Sequence, residues 1–288
     1  MGSRRVSISL LSRSDTITGV LTLPDAREPV PALVLCHGAL GFKENLAELG
    51  EYLCSRGIAS LALDMHGHGA SGGERCHVNI GDWVSDIRCA VDYLRTVQEI
   101  RRDAIGAFGF SSGGTAVLEA AVTDCRLRCI ITLDATVNNT LGLFDTGIVS
   151  ILNTLGRIKR MITGTDLRLS MVKAFGKVPA ASDPEVDRSW QEDPRVRRMW
   201  SSVPFPGFSP SFTVDTIKRV HRIRMPVMVL HGEDDRIDDP ESARKLHEAL
   251  TCPKRLRIIP GNGHMGHRDR NREEVFRLTA DWALAHLV

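Results

Sequence analysis

An apolar run over residues 104–110 ends in Gly109-Phe110-Ser111-Ser112-Gly113 and passes at once into a helix-forming stretch, residues 115–121. A serine held between a strand and a helix by flanking glycines is how a nucleophile elbow is built. The turn is so tight that neighbouring side chains must be absent, which Gly109 and Gly113 provide. The fold must therefore offer a strand that feeds a helix, with the serine pushed out at the carboxyl edge of a sheet. Ser111 is the candidate nucleophile. Ser112 is the rival, but Phe110 stands two residues before it, so the glycine frame fits Ser111 better.

The segments around this turn carry the rhythm of a parallel sheet. Residues 32–36, 58–63, 104–110 and 129–133 are short continuous apolar runs, as in strands buried on both faces. Helical spacing falls between them, at about 45–55 (closed by Gly57) and at 82–97, where Trp83, Ile87, Ala90, Val91 and Leu94 share one face. The order strand, helix, strand, helix indicates a parallel sheet covered on both sides. Residues 6–11 and 16–23 alternate around Ser14-Asp15 and read as a hairpin. The rhythm breaks from about 136 to 224 and resumes with strands at 227–230 and 256–259 and helices near 241–250 and 272–287. The expectation is one α/β domain, residues 1–135 and 220–288, interrupted by a mostly helical cap over 136–219. That insert holds seven of the fifteen aromatics: Phe144, Phe175, Trp190, Trp200, Phe205, Phe208 and Phe212.

A chain of 288 residues with net charge +2 gives no electrostatic argument for nucleic acid. No apolar run approaches the ~20 residues of a membrane span. The amino-terminal residues lead into a strand-like segment, not a signal-peptide apolar region. Seven scattered cysteines favour reduced, buried thiols, and Cys125 and Cys129 lack partners at zinc spacing. A cytoplasmic protein is expected. Gly109-x-x-x-Gly113-Gly114 lacks the lysine of a phosphate loop and no dinucleotide fingerprint appears, so neither cofactor nor metal is expected.

A serine hydroxyl needs a base, a carboxylate to orient that base, and N–H donors for the oxyanion. In an open parallel sheet these belong just past the carboxyl ends of strands. After residues 32–36 comes His37-Gly38-Ala39-Leu40-Gly41, a turn that can present the Ala39 N–H, with the Ser112 N–H as second donor. His37 is read as a residue that stabilises this turn. After 227–230 come Glu233, Asp234, Asp235, Asp238 and Asp239, most of them read as a solvated turn capping the next helix. Asp134, at the end of strand 129–133, is the geometric alternative for the acid. After 256–259 comes Gly263-His264, with His267 as fallback base. His66, His68 and His77 read as structural or substrate-contacting residues in another loop.

These residues together resemble the α/β-hydrolase superfamily of serine hydrolases. The resemblance covers roughly 16–135 and 220–286. It rests on His37-Gly38-x-x-Gly41, Asp64-Met-His-Gly67-His68-Gly69-Ala-Ser71-Gly72, Gly109-x-Ser111-x-Gly113, His231-Gly232-x-x-Asp235 and Gly263-His264. It implies Asp235 as the acid, because the family places it last in His-Gly-x-x-Asp, and a structural role for the Asp64 loop. Within the superfamily the chain is similar to the cinnamoyl and feruloyl esterase-like and serine-aminopeptidase-like groups, though its insert is longer than the compact cap of the esterases.

The expected site is thus Ser111, Asp235 and His264, with Ala39 and Ser112 as oxyanion donors. Leu40, Phe110, Trp190 and Trp200 are candidate substrate contacts; Arg195, Arg197 and Arg198 read as a solvated helix face, with contact to a substrate carboxylate or phosphate as the alternative. The expected function is cleavage of a carboxylic ester of a small, apolar or aromatic acyl substrate through an acyl-enzyme. Alternatives on the same triad are thioesterase, aminopeptidase, acyltransferase or cyclase, and carbon–carbon hydrolase. A non-catalytic small-molecule receptor is the alternative from another class.

Overall fold

The structure is a computed structural model that describes residues 2–138, 141–175 and 178–288, with the side chains of Ala174 and Phe175 also outside the description. Eight strands form the main sheet: β1 (Ser3–Ser12), β2 (Asp15–Pro24), β3 (Val30–Cys36), β4 (Ala59–Leu63), β5 (Ile100–Phe110), β6 (Ile130–Leu133), and, after a long excursion, β9 (Val227–Gly232) and β10 (Lys254–Ile259). Their spatial order is β1-β2-β4-β3-β5-β6-β9-β10. The β1–β2 hairpin and the β2–β4 pair are antiparallel, and every other pair is parallel. The fold is that of the α/β hydrolases.

The core follows from alternation along the strands. On β3, Ala32, Val34 and Cys36 point to one face, with Trp83, Ile87 and Val91 of α2 (Ile80–Leu94) and Ala116 and Val117 of α3 (Ser112–Thr123). Leu33 and Leu35 point to the other, with Leu49 and Leu53 of α1 (Ala47–Ser55) and Val275 and Ala283 of α9 (Arg272–Leu287). Both sets are buried, so the central strands read as unbroken apolar runs instead of alternating ones. α8 (Pro240–Ala249) joins the first face through Ala243 and Leu246. Truncating a side chain such as Phe108, fully buried here, costs about 3–5 kcal/mol in such a core.

Between β6 and β9 the chain builds α4 (Leu143–Thr163), β7 (Leu167–Leu169), α5 (Val172–Phe175), α6 (Pro184–Glu192), α7 (Pro194–Trp200) and β8 (Val203–Phe205). The insert is mostly helical, as expected, but β7 and β8 add a small antiparallel sheet. Two Asp-Pro pairs of the insert, Asp183-Pro184 and Asp193-Pro194, are helix starts. Asp183 and Asp193 accept from the N–H groups of Glu185 and Arg195, each 2.8 Å away, with proline in the first helical position. All seven cysteines are free thiols; Cys125 is exposed, against the expectation of buried thiols. Among the described residues no helix is long and apolar enough to cross a membrane.

Candidate active site

The elbow is dictated by close backbone approach. A Cβ on Gly109 would lie 2.2 Å from the Gly113 carbonyl oxygen, and one on Gly113 would lie 2.4 Å from the His37 carbonyl oxygen. Ser111 sits between them at φ 52° and ψ −122°, a region L-residues rarely adopt. The Ser111 N–H donates to the Leu133 carbonyl at 2.9 Å, which ties the strained turn to β6. Strain held in this way at one residue is a feature of functional turns.

Three strand ends meet at this serine. The loop after β10 brings His264 Nε2 to 3.0 Å from Ser111 Oγ. The loop after β9 brings Asp235 Oδ2 to 2.8 Å from His264 Nδ1. The other Asp235 oxygen accepts the N–H groups of Ile237 and Asp238 at 2.8 and 3.0 Å. All three side chains are buried. Burial alone would push the His264 ring down, but the Asp235 carboxylate beside it, with Asp238 and Asp134 beyond, holds it above its ordinary value. Burial would raise Asp235, yet His264 and His231 hold it well below the usual carboxylate range.

The turn after β3 closes the other side. His37 Nδ1 donates to the Gly38 carbonyl at 2.7 Å, and its Nε2 accepts the Met65 N–H at 3.0 Å. Burial favours the neutral ring that this pattern needs. Leu40 is held at φ 61°, and a Cβ on Gly38 would come within 3.0 Å of Ser111 Cβ. Ala39 and Ser112 line the same cavity as Ser111. As the first residue of α3, Ser112 has an N–H with no carbonyl one turn earlier in its helix.

The structure separates the alternatives. Asp134 does not reach His264. It accepts the N–H groups of Gly232 at 2.8 Å and Gly266 at 3.3 Å, and so braces the acid loop against the histidine loop. His267 packs its ring on Phe110, with centroids 4.4 Å apart, and burial pushes it down to about 3. His66 contacts Asp86 and Asp15, His77 contacts Asp166 and Glu74, and His68 contacts the His66 carbonyl; none of the three is among the residues lining the cavity. Asp64 gathers Lys43 Nζ and the N–H groups of Lys43 and Ala70. Asp239 caps α8 through the Glu241 N–H.

Ser111 opens onto a cavity of about 490 Å³ whose walls are largely apolar. Leu40 and Phe110 line it from the core, and Trp190 and Trp200 from the insert, with Phe205, Phe208 and Phe212. Phe144 departs from the expected set, because its ring is exposed and lies outside the lining. The Phe175 side chain lies outside the described residues. Of the three arginines, Arg197 lines the cavity, while Arg195 pairs with Asp193 and stacks over Phe42.

Two residues that hold the site have no role assigned from the sequence: Asp269 is not singled out, and His231 enters only as part of the His231-Gly232-x-x-Asp235 motif. Asp269, fully buried, accepts the N–H groups of Ser182, Asp183, Gly263 and Arg270 at 2.6–2.9 Å, stitching the insert to the loop that carries His264. Its signal was an acid placed shortly after Gly263-His264. His231 Nε2 lies 2.9 Å from the Asp238 carbonyl and 3.1 Å from Asp235 Oδ2. Among the described residues, Asp134, His231 and Asp235 bring ligand-type atoms within 4.8 Å of one another. Asp134 accepts the N–H groups of Gly232 and Gly266 and Asp235 those of Ile237 and Asp238, so both carboxylates are already engaged by backbone donors.

A family model described as serine aminopeptidase, S33, matches residues 27–271. The polyketide transferase ATR5 of Stachybotrys chlorohalonatus is 28% identical over 256 residues, covering 82% of this chain and 82% of that protein. A monoacylglycerol lipase of Mycolicibacterium smegmatis is 23% identical over 266 residues, covering 92% and 91%. Among solved structures, the α/β hydrolase GrgF of Penicillium sp. sh18 matches with a TM-score of 0.83 at 21% identity, covering 100% of this chain and 99% of that one, a likeness of fold.

Proposed function

The chain belongs to the serine aminopeptidase (S33) family and is a hydrolase, and from that premise we propose that it cleaves a carboxylic ester through an acyl-enzyme on Ser111. The observation that carries the reading is the unbroken relay from Ser111 Oγ through His264 to Asp235, at 3.0 and 2.8 Å, opening onto an apolar cavity. His264 takes the Ser111 proton as Oγ attacks the acyl carbonyl. Asp235 keeps the Nδ1–H tautomer and stabilises the imidazolium. The Ala39 and Ser112 N–H groups receive the oxyanion, each such donor being worth about 3–4 kcal/mol. The alcohol leaves with the proton from His264. Water, deprotonated by the same ring, then cleaves the acyl-enzyme.

The insert acts in this reading as a cap over residues 136–219 that shapes the acyl pocket. Its aromatic wall, Trp190, Trp200, Phe205, Phe208 and Phe212, fits an apolar or aromatic acyl group, and about 490 Å³ is within the range of small-molecule sites. The wild-type protein should hydrolyse a short p-nitrophenyl ester, and Ser111→Ala should lower kcat by about 10⁴-fold or more. Retained activity in that variant would sink the nucleophile assignment. Ranking esters, thioesters and aminoacyl amides by kcat/KM then fixes the bond type.

Acyl transfer to an acceptor other than water is the second reading. It is favoured by the relative named as a polyketide transferase and by an apolar chamber with room for an acceptor beside the acyl group. Product partitioning decides: added alcohol that diverts most of the acyl group from hydrolysis supports transfer.

A further inference from the structure

α4 is a 21-residue helix, about 31 Å long, and of its residues Gly156 alone is buried. There it lies so close to β8 that a Cβ would meet the Phe205 carbonyl oxygen at 2.2 Å. The side turned away from the protein is the apolar one. Among the described residues, eight of thirteen exposed large hydrophobic side chains sit on this helix, so the exposure is one patch and not general scatter. Phe144, Ile148, Ile151, Leu155, Ile158 and Ile162 follow one another at intervals of four, three, four, three and four residues, and Leu143 and Met161 widen the stripe at its ends. A helix draws most of its stability from packing its apolar face, and this face is left open.

We propose that this stripe is the seam of a homodimer, in which α4 of one copy packs antiparallel against α4 of a second copy about a two-fold axis near Asn153. The four-three spacing of the six central residues is the pattern that a facing helix fills with knobs into holes. An isologous contact requires that the surface complement itself. Antiparallel pairing meets that requirement: Phe144 faces Ile162, Ile148 faces Ile158 and Ile151 faces Leu155 of the second copy. Charge is compatible with this orientation: Asp145 and Lys159 flank the seam on one side, two heptads apart, so antiparallel copies bring the acid of one near the base of the other, although Lys159 Nζ also donates to its own chain's Asp166 carbonyl at 2.7 Å. The two helix dipoles also oppose each other. The exposed side chains of the stripe supply apolar area of the same order as the ~800 Å² that each partner buries in a standard interface. Asp145 and Ile148 also line the cavity, so the seam runs along one wall of the site.

Sedimentation velocity from about 1 to 100 µM tests the proposal. Wild-type protein should sediment at twice the chain mass of 31.7 kDa. The double variant Ile151→Glu/Leu155→Glu, whose positions lie outside the cavity lining, should be monomeric with the wild-type circular dichroism spectrum. If that variant does not fold, Lys159→Asp should weaken dimerisation about tenfold, and adding Asp145→Lys should restore it. A wild-type monomer at 100 µM overturns the proposal. A monomer that co-sediments with phosphatidylglycerol vesicles overturns it too and assigns the stripe to a lipid surface. A dimer that persists in Ile151→Glu/Leu155→Glu, or is indifferent to the charge swap when that variant does not fold, overturns it by placing the contact elsewhere.

Discussion

The cavity has two walls, and they are held in different ways. On the core wall each side chain of the proposed relay hangs from a strand end that hydrogen bonds lock in place. Ser111 is fixed to β6, Asp235 accepts two amides of its own loop, and Asp134 ties that loop to the one carrying His264. On the insert wall, α4 buries one residue, and the lining comes from its Ile148, Val149 and Leu152 with aromatic side chains from α6, α7, β8 and the turns that follow. The difference teaches a division of labour. Proton transfer needs atoms placed to a few tenths of an ångström, whereas an acyl pocket needs volume and apolar surface, which many packings can provide. The two walls are joined at Asp269, whose carboxylate holds amides from both.

The largest expected effect breaks the core wall at its acid. Asp235→Asn should lower kcat by about 10⁴-fold while leaving the fold intact, as loss of the orienting carboxylate does in other triads. Asp134→Asn should retain far more activity and lose stability instead, because it braces backbone and does not touch the base. Steady-state kinetics with urea melts on both variants would reverse this assignment if the Asp134 variant were the inactive one.

Next comes the joint between the walls. Asp269→Ala leaves four amide donors without their acceptor and should cost roughly 3 kcal/mol or more of stability, each unsatisfied buried group costing about 1–3. A urea midpoint within experimental error of wild type would mean that the stitch is ornamental.

The pH profile reads the core wall directly. In the proposed relay His264 acts as the neutral base, and its carboxylate neighbours hold it above its ordinary value of 6.5. Activity should therefore fall as pH drops through a midpoint above 6.5 in kcat/KM. An acid limb at or below 6 would contradict the charge environment assigned to the ring.

The smallest effect belongs to the insert wall. Trp200→Ala should raise KM for bulky acyl esters by about tenfold and leave kcat for an acetate ester nearly unchanged, since a lost apolar contact is worth about 1–3 kcal/mol. A large loss of kcat on the acetate ester would show that the two walls are not independent.

The same division explains what the sequence made legible. Strands β3, β5, β6 and β9 are buried on both faces, so their apolar runs stand out without any alternation. Gly109 and Gly113 stand out because backbone approach admits no other residue. Asp134 and Asp235 were harder to tell apart, since both end strands and only the reach of the loop after β9 carries one of them to His264. The insert was read least well. Its two strands are three residues each, too short for a period to show, and its Asp-Pro helix starts look like loop punctuation. The four-three stripe of α4 is present in the sequence, but an apolar period is ordinarily read as a buried face, and here it points outward. Asp269 works through backbone amides, which leave no pattern in side-chain identity at Ser182 or Gly263.

A fluorophosphonate probe followed by mass spectrometry of the digested protein tests the central claim most directly. One adduct on Ser111, abolished in Ser111→Ala and strongly slowed in His264→Ala, is the predicted result. An adduct on Ser112, or wild-type labelling of Ser111 without His264, would contradict the relay on which the account rests.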